Sequence, residues 1–236
     1  MRIGLIGASG FVGGAIYKAF STSDNHECIP IIRGDKLERK LLDVDFVVHA
    51  ANSAKRFVAN SNPADDRKES LGKTKRILET SKGKPVLLIS SISCRTQLDT
   101  PYGVNRLDCE KEVLIYGGSI IRLGPMFGIA RKLDVIHDIC DNRKVFVARD
   151  TKYSFSNVDW NGVYIAQNFQ DLSGVIEIGA QNSISLGEIA NYVGSKSEFI
   201  GKNDDQFPLE FTAGPDVREV FEFIDKFLMT PGSSRS

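Results

Sequence analysis

Apolar residues in this chain come in short blocks separated by longer, mixed intervals. Ile3–Ile6, Cys28–Ile32, Phe46–His49, Pro85–Ser90, Ser119–Gly124 and Gly174–Gly179 are brief and nearly continuous in hydrophobic character. Blocks of this kind fit strands buried on both faces, because an alternating pattern is needed only where one face meets water. Between them, Phe11–Phe20, Asp66–Ser81, Asn105–Val113 and Leu186–Val193 carry the mixed pattern of helices. Strands alternating with helices predict an α/β fold, with a parallel sheet covered on both sides. Near the C-terminus, Val217, Val220, Phe221, Ile224, Phe227 and Leu228 fall at helical spacing after Pro215 and Asp216, which predicts an amphipathic helix. The polar residues 229–236 are expected to form a disordered tail.

Composition narrows the partners. The chain has 236 residues, 30 basic against 30 acidic, so no global field draws it to nucleic acid or to an anionic membrane. No apolar stretch reaches the roughly 18 residues needed to span a bilayer, and the N-terminus lacks a secretory layout. Cys28, Cys94, Cys109 and Cys140 are scattered, as are the three histidines, which points to reduced thiols, a cytoplasmic setting and no metal.

The most informative stretch is IGASGFVGG. Gly7, Gly10 and Gly13 stand directly after the first strand and open the first helix. Gly7 permits a sharp turn, Gly10 lets a diphosphate approach the backbone, and Gly13 lets helix and strand pack closely. The helix N-terminus then presents N–H groups to phosphate. Ser9, Phe11 and Val12 belong to the same cradle. A plain tight turn is the competing reading.

This glycine spacing, with Phe11, resembles the extended short-chain dehydrogenase/reductases, the NAD-dependent epimerase/dehydratase family of nucleotide-sugar enzymes. Further segments match in order: DVDFVVHAA with Ala50 and Ala51, LLISS, YGVNRLDCE, IIRLGPMFG, FSNVDWNGV and IEIGAQNSISLGEIANYVG. The resemblance covers most of residues 1–194. It implies a Rossmann-type doubly wound parallel sheet with a small C-terminal substrate-binding part. Residues 1–228 are expected to form one domain, with cofactor binding mainly in 1–118 and substrate elements within 119–228. It also implies a nicotinamide cofactor, a nucleoside diphosphate sugar as substrate, and a homodimer through paired helices.

Arg33 follows the second strand, where an acid would select NAD, so NADP is expected. Asp35 keeps NAD open. Too few residues separate Arg33 from Asp45 for the further helix–strand unit that the family places there.

For catalysis, the resemblance implies Tyr102 as proton donor, Ser91 as the hydroxyl that holds the substrate oxygen, with Ser93 as the other candidate, and Arg106 where the family has lysine. A cation four residues on favours a phenolate and can hydrogen-bond the nicotinamide ribose. The alternative is that Tyr102 only packs and that Arg106 pairs with Glu110 at i,i+4. Ser70 stands near the family's supporting asparagine. On the substrate side the resemblance selects Arg122, Met126 and Phe127, with Arg131 and Lys132 as candidates for a diphosphate or for a solvated basic turn. Three functions stay open: an NADP-dependent ketoreductase on a nucleotide-linked keto sugar, an epimerase retaining NAD, and a cofactor-binding regulator. A dehydratase is disfavoured, because Ile92 and Ser93 occupy the places of its paired acids.

Overall fold

The computed structural model describes residues 1–23, 25–53, 56–131, 133–210 and 213–229. The chain opens with β1 (Arg2–Ile6), α1 (Phe11–Ser21), β2 (Glu27–Ile31), a single helical turn α2 (Leu37–Lys40) and β3 (Phe46–His49). Then come α3 (Arg56–Ser61), α4 (Pro63–Arg67), a π-helical turn at Lys68–Gly72 and α5 (Lys73–Ser81). β4 (Val86–Ser91), the short α6 (Ser93–Thr96), α7 (Pro101–Tyr116) and β5 (Ser119–Leu123) follow. The remainder holds β6 (Met126–Phe127), α8 (Val135–Cys140), β7 (Lys152–Tyr153), β8 (Ser156–Asn157), α9 (Val158–Asn168), β9 (Val175–Ile178), β10 (Ile184–Ser185), α10 (Leu186–Val193) and α11 (Glu219–Met229).

Six strands form one sheet in the order β2-β1-β3-β4-β5-β9, and β1 to β5 pair in parallel. This is the expected doubly wound sheet. The missing helix–strand unit is also confirmed: only α2 stands between β2 and β3, and β3 pairs directly with β1. β2 is therefore an edge strand. Its Glu27 N–H donates to the Met1 carbonyl, and its Ile31 carbonyl accepts from Gly7. Alternate residues of a parallel strand face one neighbour, so Pro30 falls where an N–H would point away from β1 and no donor is lost.

The chain divides into two compact units. Met1–Leu123 with Asp159–Glu177 forms the first, and Gly124–Val158 with the described residues from Ile178 onward forms the second. In the first, β3 is buried throughout and β4 nearly so. One core gathers Ile6, Val47, Val86, Leu88 and Ile120 with Ile77, Leu78 and Val113 of the helices. On another side, the rings of Phe20 and Phe46 meet Phe169 edge-on at 5.3 and 4.9 Å. The second unit centres on Phe127, Ile136, Ile139, Tyr153, Phe155, Leu186 and Ile189. The predicted C-terminal stripe packs here: Val217, Val220 and Ile224 are buried, with Phe221, Phe227 and Leu228 against them. The tail expected over 229–236 begins later, because Met229 is the last residue of α11; residues 230–236 lie outside the described residues, as does Lys132.

Candidate active site

The glycine turn is built for close approach. Gly7 has φ +93°, and a Cβ there would stand 2.7 Å from the Ala50 carbonyl. A Cβ at Gly13 would stand 2.0 Å from the Gly7 carbonyl, so α1 packs on the turn with no room for a methyl. Gly10 caps α1 without any side-chain bond, and the first turn carries no acid. Ser9 and Gly10 are exposed, and Phe11 and Val12 are half-buried. The start of α1 thus presents backbone donors beneath an open turn.

Across from the turn runs the segment after β3. The Ala51 peptide is held at both ends: its N–H donates to His49 Nδ1 at 3.2 Å, and its carbonyl accepts from Lys73 Nζ at 3.2 Å. Because Nδ1 accepts, the His49 proton sits on Nε2, which donates to Thr74 Oγ1 at 3.1 Å. The Thr74 hydroxyl in turn donates to the Ser70 carbonyl at 2.9 Å. Burial, with Lys73 and Arg106 adding repulsion, lowers the His49 pKa to about 3, so the ring is neutral. The Ser70 hydroxyl, suggested above for the family's asparagine place, is buried and donates to the Asp66 carbonyl one turn back. It sits in the π turn, an irregularity common at functional sites.

Tyr102 owes its position to a helix cap. Thr100 Oγ1 accepts from Gly103 N–H at 3.1 Å, and Pro101 fills the first helical place, so Tyr102 enters α7 in a fixed orientation. It is 7% exposed. The Arg106 guanidinium stands 4.8 Å from its ring centroid. Arg106 is itself 2% exposed, and its Nη2 donates to the Ser53 carbonyl. Ser91 and Ser93 share a hydrogen bond of 3.1 Å between their hydroxyls, and Arg56 Nη2 donates to Ser93 Oγ at 2.9 Å. Arg56 also reaches the Tyr102 ring, at 5.8 Å from its centroid. Arg56 therefore links the Tyr102 ring, which Arg106 also meets, to Ser93 and through it to Ser91.

Glu110 does not pair with Arg106. Its carboxylate accepts from Ser90 Oγ at 2.5 Å and from Arg122 Nη2 at 2.7 Å. Arg122 turns its Nη1 to Glu177 at 3.1 Å, and Glu177 receives a two-pronged pair from Arg95, both bonds 2.9 Å. Arg122, expected at the substrate, is thus occupied by two carboxylates, and this chain of charges braces the Ser90–Arg95 turn from below. Phe127 is likewise reassigned: it is buried in the second unit, 5.1 Å from the Phe223 ring. Met126 is half-buried on β6, and Arg131 donates to the Met126 carbonyl and stands 3.4 Å from Asp134. Arg33 is exposed just beyond β2, and the Asp35 carboxylate folds back onto Ile32 N–H at 2.9 Å.

Sequence reasoning missed Arg56, His49 and the Glu110–Arg122–Glu177–Arg95 chain. The last had a legible signal. Arg122 and Glu177 are opposite charges in the middle of apolar blocks, and such residues in neighbouring buried strands need each other. Arg56 had none, because nothing local marks a cation at the start of a helix as turned inward.

Polar groups left open suit a cofactor. Among the described residues, Arg106 Nη1 and both side-chain polar atoms of Asn52 are buried without a partner. They lie in or against the segment after β3, and Gly7 and Gly10 leave the backbone bare nearby. No described cluster of His, Cys, Asp or Glu could hold a metal, and no described helix is long and apolar enough to cross a membrane.

No family model and no curated protein matches the sequence. Solved structures do match in fold. UDP-glucose 4-epimerase of Thermotoga maritima superposes with TM-score 0.75 at 15% identity, covering 97% of this chain and 100% of that one. UDP-N-acetylglucosamine 4-epimerase of Bacillus cereus gives 0.71 at 21% identity, covering 97% and 96%. RMD of Pseudomonas aeruginosa, complexed with NADPH, gives 0.73 at 18% identity, covering 95% and 99%. The chain has the Rossmann-type fold of these proteins over nearly its whole length.

Proposed function

We propose that this protein is an NADP-dependent oxidoreductase that reduces a nucleotide-linked keto sugar. The observation that carries the reading is the convergence of Tyr102, Arg106, Ser91 and Ser93 in one unit with an uncapped glycine turn after β1. The proteins of similar fold named above, two epimerases of UDP sugars and one protein holding NADPH, support the same class.

The cofactor's phosphates would lie on the turn at Ser9–Val12, with Ala50, Ala51 and Asn52 along the opposite wall. When bound, the reduced nicotinamide supplies a hydride. Arg106 Nη1, which needs an acceptor, would meet a ribose hydroxyl. Arg33 favours the phosphorylated ribose of NADP, and Asp35, spent on its own turn, is poorly placed to select NAD. Ser91 and Ser93 would hold the carbonyl oxygen. Tyr102 would give that oxygen its proton, which with the cofactor's hydride would turn the ketone into a secondary alcohol. Two guanidinium groups beside the ring ease the negative charge left on the phenol.

The test is a paired titration and turnover assay. NADPH is expected to bind more tightly than NADH, and Tyr102→Phe to lower turnover by roughly 10²–10⁴-fold while NADPH affinity holds. Equal turnover by Tyr102→Phe would remove the proton path. A tightly retained NAD in the purified protein would favour the epimerase reading.

A further inference from the structure

Beside the glycine turn, Arg33 belongs to a larger group of charges. β2 and β3 flank β1, with Ile31 and His49 both in register with Ile6. Arg33 and Ala51 each lie two residues further on, so they leave the sheet on opposite sides of the turn. Neighbouring strands stand about 4.8 Å apart, which puts roughly 10 Å between the two exits.

The π turn and α5 bring charges to this place. Glu69, Lys73 and Arg76 follow at i, i+4 and i+7, so they share one helix face. Arg76 pairs with Glu38 of α2 at 2.9 Å, which ties that face to the segment after β2. Lys73 Nζ donates to the Ala51 carbonyl at 3.2 Å and pairs with Glu69, also at 3.2 Å. Glu69 therefore stands beside a cation anchored on Ala51, on the face turned to α2. Its charge environment agrees. The hydrogen bond and charge of Lys73 come first, the charges of Arg33 and Lys68 add to them against burial, and together they hold the Glu69 carboxyl below the usual carboxylate range. Asp35 is spent on Ile32 N–H and Glu38 on Arg76. A carboxylate in the field of two cations marks a seat for an anion. A phosphate monoester carries more charge and three acceptor oxygens, so it competes for the same cations.

We infer that the 2′-phosphate of NADP sits between Arg33 and Lys73, and that Glu69 is their counter-ion until the cofactor arrives. Glu69 then limits the preference for NADP, because it repels the phosphate and leaves the ribose hydroxyl of NAD unopposed. This rests on the reading that the glycine turn holds a nicotinamide dinucleotide, and it adds a specificity residue from the helical side.

Fluorescence titration of the full chain with NADPH and with NADH tests it. The Glu69 side chain is 58% exposed, so Glu69→Gln is expected to fold. It should tighten NADPH about five- to tenfold, as one charge acting on a dianion across a wet surface implies, and leave NADH unchanged. That gain should shrink in about 1 M salt, where such charges are screened. Arg33→Ser should weaken NADPH alone. An equal change for both nucleotides in Glu69→Gln overturns the inference, because the group sensed would be the shared diphosphate. No change for either overturns it as well. Weaker NADH with unchanged NADPH also overturns it, since Glu69 would then be holding the ribose hydroxyls. In these three cases the NADP reading stands if the native chain prefers NADPH. Tighter native binding of NADH removes the NADP reading alone, and the inference stands if Glu69→Gln still tightens NADPH and Arg33→Ser still weakens it. If neither nucleotide binds, both fall.

Discussion

His49 shows how one buried side chain fixes the segment opposite the glycine turn. Its neutral ring accepts from Ala51 and donates to Thr74, and both bonds require the same tautomer. The ring can accept only while Nδ1 carries no proton. The unfolded chain takes up a proton below the ordinary imidazole pKa near 6.5, whereas the folded chain resists until about 3. Between those limits the unfolded state holds the extra proton, so stability falls as pH falls, by about 1.4 kcal/mol per unit where the difference is complete. His49→Asn is expected to flatten the stability profile across this window in urea titrations at stepped pH. An unchanged slope would assign the acid sensitivity elsewhere, with Glu177 the first alternative. Burial raises its pKa, but the bonds from Arg95 and Arg122 outweigh that and hold it below the usual carboxylate value. Glu177 would then lose its contribution only as pH drops through that lowered value. The residue scale is also where the sequence was least legible. Tyr102, Ser91 and the glycines are readable from order and spacing. Arg56 and His49 act through partners 37 and 25 residues away, which no local pattern reveals.

At the scale of elements, the strands were legible because each is a short apolar block, and every predicted block became a strand within a residue or so at either end. The helix predicted over Asp66–Ser81 is in fact α4, a π turn and α5 in succession. A pattern of apolar spacing cannot expose one wide turn, because the residues on either side stay helical. The charge chain between β5, β9, α6 and α7 is the element-scale device that holds the serine turn. Arg122→Met strands Glu110 in the core with no counter-ion and is expected to cost about 3–5 kcal/mol. Adding Glu110→Leu removes the orphaned charge and should recover most of that loss. Chemical denaturation of the single and double variants distinguishes this from additive damage, which would mean that Arg122 and Glu110 do not act as a pair.

Across the whole molecule, the short link between β2 and β3 leaves β2 as an open edge. Long exposed edges recruit other strands, and Pro30 blunts this one on its outward side. Pro30→Val restores an outward N–H, and sedimentation velocity should show more self-association than the native chain at equal concentration. An unchanged profile would mean that α2 or the neighbouring loop already shields the edge. The two units are traced by interleaved segments, since the chain leaves the first at Leu123, returns at Asp159 and departs again after Glu177. Neither unit is a contiguous stretch of sequence. A ribosome that has delivered residues 1–123 has not yet delivered α9 or β9, so the sheet stops at β5 with that strand uncovered on one side. The nascent chain must therefore wait until Glu177 has been made before its first unit can close, and residues 124–158 of the second unit leave the ribosome while the first is still incomplete.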